Sequence, residues 1–178
     1  KNKAGYHPIH GAVHNGHIVV MKYYIDSGTS IDLESSHGVT PLDYAINNKI
    51  NIKVVQWLLE NGALVNKASI QGGFTPLYNA CEKGDIEVVK LLVQYKANVE
   101  QAVNVGDTPI AMAAFKGNVE LMKFLQSCGA NIHVKNKSGD TPIHEAHMGA
   151  KIETVDYLLE QGVDINTKNL QGKTPLHF

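Results

Sequence analysis

The sequence predicts an all-α solenoid of stacked antiparallel helix pairs, with β-hairpin loops projecting from the stack. Three observations carry this expectation. All six prolines recur in register, at Pro8, Pro41, Pro76, Pro109, Pro142 and Pro175, spaced by 33, 35, 33, 33 and 33 residues. Three residues before each stands a glycine: Gly5, Gly38, Gly73, Gly106, Gly139 or Gly172. Four residues after each of the first five comes alanine: Ala12, Ala45, Ala80, Ala113 or Ala146. A period of this length marks an internal repeat, which has to be read before any local motif.

Each element of the unit has a physical reason. Thr40, Thr75, Thr108, Thr141 and Thr174 immediately precede their prolines, and His7 takes that place once. A threonine there offers an N-cap hydroxyl, and proline suits the first helical position because its missing N–H costs nothing. A short first helix follows, as over Pro76 to Glu82, with Leu77 and Ala80 on one face. The alanine is small because another helix passes close over it. Gly84 breaks the chain, and "IEVVKLLVQY" makes a second helix with a wide apolar stripe. Trp57 aligns with Leu91 on this second helix and is expected between repeats. Gly28, Gly62, Gly129 and Gly162 sit where the second helix ends in a left-handed cap. Lys96 takes that place in the third unit, where a left-handed lysine costs about 1 kcal/mol. An extended return such as "ANIHVKNKSGDTP" leads to the next proline, with a turn near the recurring glycine.

Two units depart from the pattern. The second carries an extra residue between its helices, around Lys49-Ile50-Asn51, and another at Gln71-Gly72-Gly73. In the fifth, Ala150 replaces the inter-helix glycine, with Gly149 just before it.

"GDTPIHEA", "GKTPLHF" and "GNVELMKFLQSCGANIHVKNKSGDTP" resemble ankyrin repeats, and the resemblance covers the whole chain. It implies a stack of helix pairs stabilised mostly by neighbour interfaces. The units are residues 8–40, 41–75, 76–108, 109–141 and 142–174. Residues 1–7 end a preceding hairpin, and residues 175–178 start a sixth unit. Both ends read like internal repeats, so a longer array is expected, with further repeats or domains in the parent chain.

The chain has 178 residues, 43% hydrophobic and 19% charged, and sixteen Lys+Arg against seventeen Asp+Glu give a net charge of −1. That balance excludes nucleic acid as the main partner, because phosphate binding needs clustered uncompensated cations. No apolar run is long enough to span a membrane, so direct membrane insertion by this segment is not expected. Cys81 and Cys128 do not make a disulfide framework. They point to a reducing, cytoplasmic setting. Cys81 is expected as a buried core thiol, unpaired with Cys128.

Motifs that resemble chemistry dissolve in the repeat register. "HPIHGAVHNGH" places His7, His10, His14 and His17 within eleven residues, but Gly16 breaks the helix before His17. In ankyrin repeats the histidines matching His10, His144, His177 and His17 bond backbone, and only His14 is spare. A zinc site needs three or four convergent ligands. "HEAH" at His144–His147 resembles a zinc-protease signature but has the wrong spacing. "GKT" at Gly172–Thr174 lacks the first glycine of a phosphate loop, with Thr167 in its place. The expectation is therefore no catalytic residue, no cofactor and no metal.

What the repeat leaves free is surface. The resemblance implies that a partner meets the concave face, made of hairpin tips and first helices. Large apolar groups in solvent-facing register are informative there. Tyr6, Val39, Phe74, Phe115 and Met148 are the candidate contacts, with His14, Asn47 and Glu82 as polar companions. The competing role for each is local packing against hairpins or neighbouring repeats. The function expected is a non-enzymatic protein-interaction scaffold. The alternative is a structural segment of a large ankyrin-rich membrane-associated assembly, such as an ion channel or a latrotoxin-like pore-forming toxin.

Overall fold

Ten α-helices follow one another with no strand between them in the computed structural model, which describes residues 1–178. First helices start at their prolines: α1 Pro8–His14, α3 Pro41–Asn47, α5 Pro76–Lys83, α7 Pro109–Lys116 and α9 Pro142–Met148. Second helices follow each: α2 Ile18–Asp26, α4 Ile52–Glu60, α6 Ile86–Gln94, α8 Val119–Ser127 and α10 Ile152–Glu160. A 3₁₀ turn over Pro175–His177 ends the chain.

The chain divides into two compact units, Lys1–Ala97 and Asn98–Phe178. In the first, α1 packs on α2 and α3, α3 on α4 and α5, and α5 and α4 on α6. In the second, α7 packs on α8 and α9, α8 on α10, and α9 on α10 and the final turn. The recurring alanines stand at these close helix approaches and are buried, as are Leu42, Leu77, Ile110 and Ile143 one residue after their prolines.

The loops differ from the hairpins expected. They hold turn hydrogen bonds rather than strands: Ser35 N–H donates to the Val39 carbonyl at 2.9 Å, and Gly38 N–H to that of Ser35 at 3.2 Å. Neighbouring loops are tied by single bonds, such as Lys137 N–H to the Val105 carbonyl at 3.0 Å and Leu170 N–H to that of Ser138 at 2.9 Å. Loop contact explains two of the glycines. A Cβ at Gly106 would stand 2.7 Å from the Lys137 nitrogen, and one at Gly139 would stand 2.7 Å from that of Leu170.

Gly28, Gly62, Gly129 and Gly162 are left-handed, and Lys96 is too, with φ 69°. Two inter-helix positions take that conformation without glycine. In the fifth unit Ala150 itself is left-handed, at φ 52°. Gly149 is right-handed, and a Cβ on it would meet the Phe115 carbonyl oxygen at 2.2 Å. In the second unit Lys49 takes the inter-helix left-handed position, at φ 51°.

Capping departs as well. Thr40 accepts from Asp43 N–H and Thr75 from Tyr78 N–H, each at 3.1 Å. Thr108 makes no side-chain cap, and its buried hydroxyl has no partner, since Ala111 at the third helical position offers no side-chain acceptor. Trp57 is half-buried rather than core, as is Leu91 in the same register.

Candidate functional site

The loop-tip and first-helix residues divide by exposure. In the first unit Tyr6 is half-buried, its ring 5.1 Å from that of Tyr44 and 5.4 Å from that of His10. His14 is exposed, with Nδ1 3.2 Å from the Tyr44 hydroxyl. Val39 is half-buried and Asn47 exposed. Phe74 is 40% exposed, with its ring tilted against Tyr78 at 5.6 Å. Glu82 is half-buried and lies 3.5 Å from the Lys83 ammonium. Within Asn98–Phe178, Met148 is 38% exposed. Phe115 is half-buried, and the Lys116 ammonium stands 5.7 Å from its ring centroid. Phe74 and Met148 thus offer the most free apolar surface among the candidates, while Tyr6 is largely engaged in local ring packing.

The histidines are spread over separate duties. His144 accepts at Nδ1 from the Thr141 N–H at 3.2 Å and from its hydroxyl at 2.9 Å. Its Nε2–H donates to the Lys173 carbonyl at 3.3 Å. His10 donates from Nε2 to the Val39 carbonyl at 2.9 Å. His177 accepts from Thr174 N–H at 3.1 Å. The bonds to Val39 and Lys173 join a helix start to the next loop, and no three His, Cys, Asp or Glu residues converge as metal ligands. Cys81 is buried and Cys128 half-buried, both as free thiols. Burial pushes the Cys81 thiol far above the usual range, which leaves it without thiolate character.

One polar cluster escaped the sequence reading. Within Asn98–Phe178, Asn136 Nδ2 donates to Asp107 Oδ1 at 2.7 Å and to Glu145 Oε1 at 3.4 Å. Asn169 Nδ2 repeats the motif one unit later, donating to Asp140 Oδ1 at 2.7 Å. Burial, with Asp107 and Asp140 adding to it, pushes the Glu145 carboxyl up to about 7. The signal was available, since Asn136 and Asn169 stand in the same register, as do Asp107 and Asp140. The same asparagine carries the sequon-like Asn136-Lys137-Ser138, and its amide is fully occupied by these bonds and by Ser138 and Asp140 N–H at 2.9 Å.

Comparison with known proteins gives a consistent result. The family model described as ankyrin repeats (3 copies) matches residues 1–69, 64–136 and 110–178. Human ankyrin repeat domain-containing protein 63 is 32% identical over 110 residues, covering 59% of this chain and 29% of that protein. Human ankyrin repeat and SOCS box protein 11 is 36% identical over 94 residues, covering 53% and 28%. The mouse B-cell lymphoma 3 protein homolog is 32% identical over 109 residues, covering 59% and 24%. The chain thus matches less than a third of each relative's own length.

Proposed function

This chain belongs to the ankyrin-repeat family, and from that premise we propose that it is a non-enzymatic scaffold binding a protein partner on its loop tips and first helices. Ankyrin repeats are in general protein-interaction modules. The observation that carries the finer reading is the exposure of Phe74 at a loop tip and of Met148 on a first helix, at 40% and 38%. Large apolar groups kept in solvent contact beside polar neighbours are what interface anchors look like. The repeats would run over residues 8–40, 41–75, 76–108, 109–141 and 142–174, in a cytoplasmic setting. A structural role in a larger ankyrin-rich, membrane-associated assembly is the second reading. No helix here is long and apolar enough to cross a membrane.

The test is a partner isolated from the source cells, titrated against the protein and its variants. Phe74→Ala and Met148→Ala are each expected to weaken binding about tenfold, with an unchanged melting temperature. Unchanged affinity in both variants would reject these loop tips and first helices as the contact.

A further inference from the structure

The turn between α3 and α4 is longer than its counterparts. α4 starts eleven residues after Pro41, whereas α2, α6, α8 and α10 start ten after their prolines. Where this turn meets the one between α1 and α2, a cavity of about 480 Å³ opens. His14, Ile18, Lys49, Ile50, Asn51 and Lys53 line most of it. It lies between two complete helix pairs, α1 with α2 and α3 with α4.

Two lysines stand on this cavity against local rules of stability. Lys49 is left-handed, with φ 51°, where three other units use Gly16, Gly84 and Gly117. A lysine there is strained and a glycine is not. Lys53 is the second residue of α4, where α6, α8 and α10 carry Glu87, Glu120 and Glu153. The start of a helix favours an acid, so lysine is the costly choice. Neither lysine forms an ion pair, unlike Lys67, Lys83 and Lys90. No carboxylate lines the cavity. Asn51 Oδ1 accepts the Lys53 N–H at 3.0 Å, which leaves the Asn51 amide hydrogens as further donors. Ile18, Ile50 and Val54 supply apolar walls, and these strengthen the field of the two cations. Strain and charge placed together without compensation are what functional sites retain.

We propose that this cavity binds a phosphate group, held by the Lys49 and Lys53 ammonium groups and the Asn51 amide. Charge selects phosphate over a carboxylate. Two unpaired cations face one space, and a phosphate monoester carries roughly 1.5 to 2 negative charges at neutral pH. Its three acceptor oxygens also match a lining whose free polar groups are donors. Neither Phe74 nor Met148 takes part, so loss of the partner surface would leave this site untouched.

Titration of inorganic phosphate into the 178-residue protein, at constant ionic strength and followed by ¹⁵N-edited spectra, tests the site. The backbone resonances of Lys49 to Lys53 should shift and saturate at millimolar phosphate, and chloride at the same concentration should not shift them. Lys49→Gly relieves the strained turn, and Lys53→Glu restores the acid of the other helices. Both should raise the melting temperature yet bind phosphate at least tenfold more weakly. Lys96→Gly removes another left-handed lysine and should leave phosphate affinity unchanged. A blocked phosphoserine peptide, run beside inorganic phosphate, identifies the source. Tighter binding of the peptide assigns the site to a phosphorylated partner protein, and equal binding assigns it to free phosphate. Absence of saturation, equal shifts with chloride, or parental affinity in both Lys49→Gly and Lys53→Glu would each overturn the proposal.

Discussion

The third helical residue decides how each threonine cap is completed. His144 takes both Thr141 donors and donates its Nε2–H to the Lys173 carbonyl of the next loop. Asp43 takes the Thr40 hydroxyl at 2.8 Å and an Asn79 amide hydrogen at 3.4 Å. Ala111 takes nothing, and Thr108 is left with a buried, unpartnered hydroxyl. The two threonines should therefore answer differently to loss of the hydroxyl. Thr40→Val is expected to cost about 1–2 kcal/mol in urea unfolding, while Thr108→Val changes stability by less than about 0.5 kcal/mol or improves it. Equal costs would mean that both hydroxyls are bonded alike. Glu145 adds a pH dependence. Burial, then Asp107 and Asp140, raise its carboxyl from 4.5 to about 7. The folded state then holds a proton that the unfolded chain has released. The associated stability is complete below pH 4.5 and is lost as pH rises toward 7. Glu145→Gln keeps an acceptor for Asn136 and cannot ionise. The gap in unfolding free energy between variant and parent should widen in favour of the variant over that range, and a constant gap would contradict the assignment.

At the scale of elements, helix ends are where the local rules are broken. Three non-glycine residues are left-handed: Lys49, Lys96 and Ala150. Each sits where the other units use glycine, and the packed helices on either side hold the strain. Lys96→Gly and Ala150→Gly are each expected to raise unfolding stability by up to about 1 kcal/mol. A lower melting temperature for both would show that their side chains contribute packing worth more than the strain. Gly149→Ala should do the reverse, since its Cβ would meet the Phe115 carbonyl oxygen at 2.2 Å. The sequence marked Lys96 and Ala150 because a regular period exposes its exceptions. It missed Lys49 because the extra residue of the second unit blurs the register there.

Across the whole molecule, what was legible follows from what repeats. Prolines, glycines and alanines perform the same backbone and packing task in every unit, so one period was enough to place ten helices. Side-chain exposure was less legible, because it depends on the neighbouring unit. Tyr6 and Phe115 shared a solvent-facing register with Phe74 and Met148, yet they lie half-buried. The ring packing around Tyr44 and the Asn136 cluster join residues from different repeats, and no local spacing announces them. Stability should follow the same neighbour rule. Leu176 is 69% exposed, whereas Ile9, Leu42, Leu77, Ile110 and Ile143 in the same register are at most 1% exposed. Each of those five lies in a first helix packed on the second helix of its own unit, and no second helix follows Leu176. In the present chain Leu176→Ala should change stability by no more than about 0.5 kcal/mol. With a designed helix pair appended after Phe178, the melting temperature should rise, and the same substitution should then cost about 2–5 kcal/mol. The comparison is a double-mutant cycle between residue and neighbour, read by urea unfolding of four proteins. A cost for Leu176→Ala that is the same with and without the added pair would show that the added helices do not cover this register.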